Sequence, residues 1–379
     1  MLRDKIIFLT AKNPYSKNSW SGISFFMLQA LQVTYEVDVI VLQSFRRIQL
    51  WGYYFSRLFH RITGSKYVFD YGVIMSWCYG RTASKRLRNK HGYRFILVPA
   101  GLPEVAYMKT TIPVVAVSDC SVLQLIDYYP SLKNVSNISK HELALVEAKA
   151  LQKVSLAVFS SAWASDFTAS RFSVNHTCVI PFGANLDKTF KAPQRNISKG
   201  RCRLLFTGID WERKGGDTVL AVCHELHRQG VQVELTVVGS KPPATFILPQ
   251  GINLQFISIN KDEPDEEEWY FSILCTHDFL ILPTLADCTP IVIAEAFWAG
   301  LPVLATYTGG IDSMIQPGIT GYLFQAGEIQ GYIDRINELL NAPDYYKSIS
   351  TNCRSSAERV FNWKQWVKEL DQEIQKAGI

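Results

Sequence analysis

Two carboxylates eight residues apart, Asp287 and Glu295, frame the part of this chain best suited to chemistry. They stand in the segment from Pro283 to Phe324, PTLADCTPIVIAEAFWAGLPVLATYTGGIDSMIQPGITGYLF. Asp287 falls in a turn and Glu295 at the head of a helix. Thr289, Pro290 and Ile291 open that helix, where unpaired backbone N–H groups offer an anion a dock. Carboxylates for hydroxyl groups, beside a helix start for phosphates, suit a ligand that carries both, such as a nucleotide sugar. The plainer alternative is a strand–turn–helix of any doubly wound domain, its aspartate a helix cap.

A second cluster lies at 208–217, GIDWERKGGD. A strand ends at Gly208, and Arg213 and Lys214 precede Gly215-Gly216 and another helix. Cations at a helix start oppose its dipole unless an anion joins them. The placement therefore points to a bound diphosphate, the alternative being a solvated surface pair. Earlier, Trp20-Ser21-Gly22 follows the first strand, and Gly22 either lets the backbone approach a phosphate or simply makes a β–α turn. Asp119 ends the strand VVAVSD at the carboxyl edge, where α/β folds place their sites. It either accepts a hydrogen bond from a sugar or acceptor hydroxyl or caps the next helix. Ser160-Ser161, Gly183 and Asn185 read as structural, the last two shaping a cleft between domains.

The elements that must hold these residues alternate between short apolar strands and helices. KIIFLT (5–10), VDVIVLQ (37–43), YRFILVP (93–99), VVAVSD (114–119) and LAVFSS (156–161) form one series, closed by CVIPFGANLD (178–187). Such continuous apolar runs suit parallel strands buried on both faces. A polar stretch with Pro and Gly, KAPQRNISKGR (191–201), is the predicted linker. RLLFTG (203–208), VELTVVG (233–239), DFLILP (278–283) and LPVLAT (301–306) form the second series. The fold class expected is α/β, with two facing doubly wound, Rossmann-like domains. The last 40 residues read as helical, and FNWKQWVKELDQEIQ spaces its apolar residues to bury one face.

The 283–324 segment resembles the donor-binding signature of the retaining glycosyltransferases of family 4, a glutamate, seven residues and a second glutamate. The resemblance implies that Glu295 grips the ribose hydroxyls of a nucleotide and that Asp287 sits by the transferred sugar. Aspartate here is one methylene shorter than the family's glutamate. GIDWERKGGD is similar to the family's Gly-Arg…Lys-Gly motif, whose Arg and Lys neutralise the diphosphate. Lys214 matches the lysine, Ile209 takes the usual arginine position, and Arg213 is the available substitute. Family members also carry a glycine loop near Gly22 that approaches the donor diphosphate, and many have histidine where this chain has Asp119.

The implied fold is GT-B. Residues 1–190 would form the acceptor-side domain and 201–355 the nucleotide-sugar domain, with a helix at 356–379 returning to the first. The implied activity is metal-independent transfer of a sugar, with retention, to a glycan or lipid-linked acceptor. Asp287, Lys214 and Asp119 would serve the chemistry. Gly22, Arg213, Lys214, Thr289, Pro290, Ile291 and Glu295 would bind the donor. No other cofactor is expected. Two rivals are a sugar-nucleotide epimerase of the same fold and a non-enzymatic subunit that binds a sugar nucleotide or a partner glycosyltransferase.

With 379 residues, 47% of them hydrophobic and 19% charged, the composition is that of an ordinary globular protein with room for two cores. No apolar run reaches the ~18–20 residues of a membrane span. The apolar core of KIIFLTAK is too short for a signal peptide. Eight scattered cysteines, with no C-x-x-C, read as reduced thiols in a cytoplasm. Asp-x-Asp, H-E-x-x-H, G-x-S-x-G and the Walker loop are missing from the sequence, and His224 and His227 read as core or surface.

Residues 1–120 hold sixteen Lys and Arg against six Asp and Glu, and the remainder 23 against 28. The basic half predicts an anionic partner, with no motif for nucleic acid. Residues 44–66 interleave Arg46, Arg47, Arg57 and Arg61 with Trp51, Tyr53, Tyr54, Phe55 and Phe59. They suit an anionic membrane surface, an acceptor pocket, or a helix with its aromatic face in the core. Lys85, Arg86, Arg88 and Lys90 add charge to the same domain.

Overall fold

A computed structural model of the protein describes residues 3–42, 44–186, 193–243, 246 and 251–379. Gln43, at the end of the second expected strand, lies outside them, as do residues 187–192, which take in the start of the expected linker. The chain divides into two units, Met1–Pro181 with Trp366–Ile379, and Phe182–Gln365.

Unit 1 is built on β1 (Lys5–Thr10), β2 (Glu36–Val41), β3 (Ile96–Pro99), β4 (Val114–Ser118), β5 (Leu156–Phe159) and β6 (Thr177–Val179). Unit 2 is built on β7 (Arg201–Thr207), β8 (Gln232–Val238), β9 (Asn253–Ile257), β10 (Phe279–Leu282), β11 (Val303–Thr306) and β12 (Gly321–Phe324). The sheet orders are β2-β1-β3-β4-β5-β6 and β12-β11-β10-β7-β8-β9. Among the described residues every pairing is parallel. The four residues of β10 are wholly buried, as expected of a central strand covered on both faces.

These orders fix where a ligand can sit. From β7 the chain crosses to β8 on one side, and from β10 it crosses to β11 on the other. The loops leaving the carboxyl ends of β7 and β10 diverge, which opens the crevice that doubly wound sheets use for ligands. In unit 1 the same reversal lies between β1 and β3. Both clusters singled out in unit 2, 208–217 and 283–291, occupy these diverging loops.

Candidate functional site

In unit 2 the loops after β7 and β10 are tied together by backbone. The carbonyl of Arg213 accepts from the Leu285 N–H (2.8 Å) and from the Thr284 hydroxyl (3.1 Å). Gly215, at φ 82°, runs so close to β10 that any Cβ would collide with the Pro283 carbonyl. A Cβ on Gly208, at φ 157°, would meet Lys214 Cγ at 2.8 Å, so this glycine keeps open the path of the lysine stem. Together they deliver Lys214 Nζ to Asp287 Oδ2, an ion pair whose two residues are each only 8% exposed.

Arg213 joins the pair from its own direction. Its Nη1 stands 3.7 Å from Asp287 Oδ2 and donates to the Ala286 carbonyl at 2.7 Å. Its Nε lies 3.4 Å from Asp210, whose carboxylate also caps the one-turn helix Trp211–Lys214 by accepting from the Arg213 N–H. Ile209, at the position of the expected arginine, is exposed and uncharged. Lys214 carries three donor hydrogens. A lysine held at the mouth of a crevice by one carboxylate keeps donors for an incoming phosphate.

The helix Ile291–Trp298 starts four residues beyond Asp287, with Pro290 at its N-cap and no side chain bonded to its first N–H groups. Pro290, lacking an N–H, offers only its carbonyl, which accepts from Ile293. The donors this terminus can present are therefore the N–H groups of Ile291 and Val292. The loop after β11 closes on the same turn through Gly310 N–H to the Cys288 carbonyl (2.8 Å).

Glu295 lies one turn into that helix and is wholly buried. Its Oε1 accepts from Lys261 Nζ at 2.6 Å and its Oε2 from the Tyr270 hydroxyl at 2.8 Å. Lys261 Nζ also sits 4.1 Å over the Tyr270 ring, a cation–π contact. Burial first, and the charge of Glu295 second, push the Tyr270 hydroxyl well above its ordinary pKa. Neither Lys261 nor Tyr270 was among the residues expected from sequence.

Gly22 and Asp119 belong to unit 1, at the carboxyl edge of its sheet. Gly22 (φ 83°) is the N-cap of the helix Ile23–Thr34, and Trp20 (φ 47°) and Ser21 (φ 54°) before it are also left-handed. Two consecutive non-glycine residues in that region store backbone strain. The Asp119 carboxylate accepts from Cys120 Sγ at 3.6 Å, while Ser121 Oγ accepts from the Leu123 N–H. The structure brings together Arg213, Lys214 and Asp287, with the Thr289–Ile291 helix start next along the chain. Gly183 and Asn185 pack against Trp363, whose Nε1 donates to Asn185 Oδ1 at 3.1 Å.

Two Rossmann-like units, each on a six-stranded parallel sheet, with the second unit's charged cluster at its switch point, define the GT-B fold. Residues 201–342 match the family model of the glycosyl transferases group 1. Sucrose-phosphate synthase from Thermosynechococcus elongatus superposes with a TM-score of 0.70 over 99% of both chains at 16% identity. HepE of Anabaena, solved with UDP, does so at 0.63 over 98% of this chain and 100% of its own at 14% identity. At such identity the likeness speaks for the fold.

Among curated proteins, N-acetyl-alpha-D-glucosaminyl L-malate synthase of Bacillus anthracis is 27% identical over 145 residues, 37% of either protein. D-inositol 3-phosphate glycosyltransferase of Rhodococcus erythropolis is 21% identical over 216 residues, 53% of this chain and 48% of its own. The chain thus matches less than half the length of these relatives.

Proposed function

We propose that the protein is a retaining, metal-independent glycosyltransferase of family 4. It would move a sugar from a nucleotide diphosphate sugar to a hydroxyl of a glycan or lipid-linked glycan. The observation that carries this reading is the buried Lys214–Asp287 pair at the switch point of unit 2, next to a helix start that no side chain caps. Lys214, Arg213 and the N–H groups of Ile291 and Val292 neutralise the departing diphosphate. Asp287 stands by the transferred sugar, and Glu295 takes the ribose hydroxyls once Lys261 shares its oxygen.

The bond from the anomeric carbon to the diphosphate oxygen breaks, its electron pair leaving with the diphosphate. The acceptor oxygen attacks the same face and passes its proton to the diphosphate. No protein nucleophile is required. Preorganised charge of this kind contributes about 3–4 kcal/mol of barrier per group. Eight free cysteines favour a reducing cytoplasm for this chemistry.

Thermal-shift measurement against nucleoside diphosphates and their sugars tests the proposal, with UDP first because HepE was solved with it. A ligand at 100 times its Kd stabilises the fold by about 2.7 kcal/mol. With the acceptor then found, Lys214→Ala should lower kcat about 100- to 1,000-fold while the bare nucleoside still binds. No shift with any nucleotide turns the protein into a non-enzymatic subunit. An inverted first-formed anomer overturns retention.

A further inference from the structure

The basic aromatic stretch singled out in the sequence folds as the helix Arg46–Thr63, and most of its apolar residues are not in the core. Only Gly52 is fully buried in it, a Cβ there colliding with the Phe69 ring. Trp51 is 77% exposed, Phe55 46%, Leu58 57% and Ile62 73%. Their spacing of four, three and four residues makes one stripe along the helix. Arg47, Tyr54 and Arg61, seven apart, form the adjoining stripe. Arg46, Leu50, Tyr53 and Arg57 form the next, all of them exposed.

The charge along this stretch of chain has one sign. Between Asp38 and Asp70 the chain holds Arg46, Arg47, Arg57, Arg61 and Lys66 and no Asp or Glu. Arg46 and Arg47 occupy the first turn, where the helix dipole disfavours cations, and no acid there offsets them. The following helix, Val73–Leu87, repeats the pattern with exposed Ile74, Trp77, Arg81 and Lys85. Phe45 meets Tyr79 of that helix edge-on at 5.3 Å.

We propose that this face docks unit 1 onto a bilayer surface bearing anionic lipid. Trp51, Phe55, Leu58 and Ile62 enter the boundary between headgroups and acyl chains, and the four arginines meet lipid phosphates. A second copy of the chain fits less well, because a symmetric contact would set these arginines against themselves with no acid between. Nucleic acid would use the arginines and leave Leu58 and Ile62 without a role. Among the described residues no helix is long and apolar enough to cross a membrane, so the attachment is interfacial.

Co-sedimentation with phosphatidylcholine vesicles, with and without phosphatidylglycerol, tests the surface. The protein should pellet with the anionic vesicles at low salt and be released near 1 M salt, where the screening length falls to about 3 Å. Arg47→Gln with Arg61→Gln should weaken binding about 25-fold, since each cation near an anionic surface contributes about fivefold. Trp51→Ser with Ile62→Ser should weaken it at least as much. All four side chains are exposed, so both variants should keep the parent's melting temperature and nucleotide response, which separates this surface from the donor site.

Failure to pellet at low salt, or pelleting untouched in both variants, overturns the proposal. So does light scattering that shows a dimer dissolved by the Trp51 variant.

Discussion

The two carboxylates of the donor segment are held in opposite ways. Asp287 pairs with Lys214 at the crevice, whereas Glu295 is wholly buried and spends both oxygens on Lys261 and Tyr270. Their spacing was legible in the sequence because it is local. Lys261 was not, since it stands in the charged run NKDEPDEEE, where a lysine reads as one more solvated charge. Lys261→Met should leave the Glu295 charge buried with only a phenol for partner, costing about 3 kcal/mol, the low end for a broken buried pair because Lys261 is partly exposed. Adding Glu295→Gln should restore most of that loss in denaturant unfolding. If ribose hydroxyls are the natural partners of Glu295, a nucleotide should raise the melting temperature of Lys261→Met more than that of the parent. An equal rise in both would detach Glu295 from the ligand.

Among elements, the central strands of both units and the unit 1 edge strand β2 were readable, whereas the edges of unit 2 were not. β7, β8, β10 and β11 announce themselves as apolar runs because both their faces are covered. β9 (NLQFI) and β12 (GYLF) lie at the two margins of the unit 2 sheet, and neither was expected as a strand: exposure breaks the apolar run of β9, whereas β12 is mostly buried but only four residues long. Gly321 opens β12 because a Cβ there would strike the Val303 carbonyl. The expected linker hides a further device. Arg195, only 7% exposed, donates from Nε to the Ala299 carbonyl at 3.0 Å, from Nη2 to Leu274 at 2.6 Å, and from Nη1 to His277. These carbonyls close the helices Pro264–Thr276 and Ile291–Trp298. One guanidinium thus serves the negative ends of both, and composition alone could not reveal it in a polar stretch. Arg195→Met should strand those carbonyls and cost about 3–5 kcal/mol. Arg195→Lys should recover only part, lacking the planar fork. A midpoint in denaturant unchanged by Arg195→Met would show that other donors satisfy the carbonyls.

Over the whole molecule, the chain returns to its beginning. Trp366, Leu370 and Ile374 are buried in the terminal segment assigned to unit 1, where Asp371 accepts from Tyr35 (2.9 Å) and Arg94 (3.0 Å). Unit 1 also carries two buried carboxylates, Glu104 and Glu147, each with one oxygen lacking a hydrogen bond. Burial pushes both up to about 7, against the pull of backbone N–H groups and, for Glu104, of Lys12. The folded protein therefore keeps protons that the unfolded chain, with its glutamates near 4.5, has already released. The linkage sign follows: these groups leave stability intact below about pH 4.5 and remove it as the pH rises through about 7. The shift at Glu104 corresponds to about 3 kcal/mol at the alkaline end. Glu104→Gln removes that proton from the balance at little cost in shape. It should match the parent near pH 5 and melt several degrees above it at pH 8, a difference that grows with pH. The gap between the two proteins across pH 5 to 8 is the quantity to follow, since the parent's own curve sums every titrating group. A constant gap would mean that Glu104 ionises in the folded protein as it does in the unfolded chain. Its charge would then have to be balanced by a ligand or water at the carboxyl edge of the unit 1 sheet.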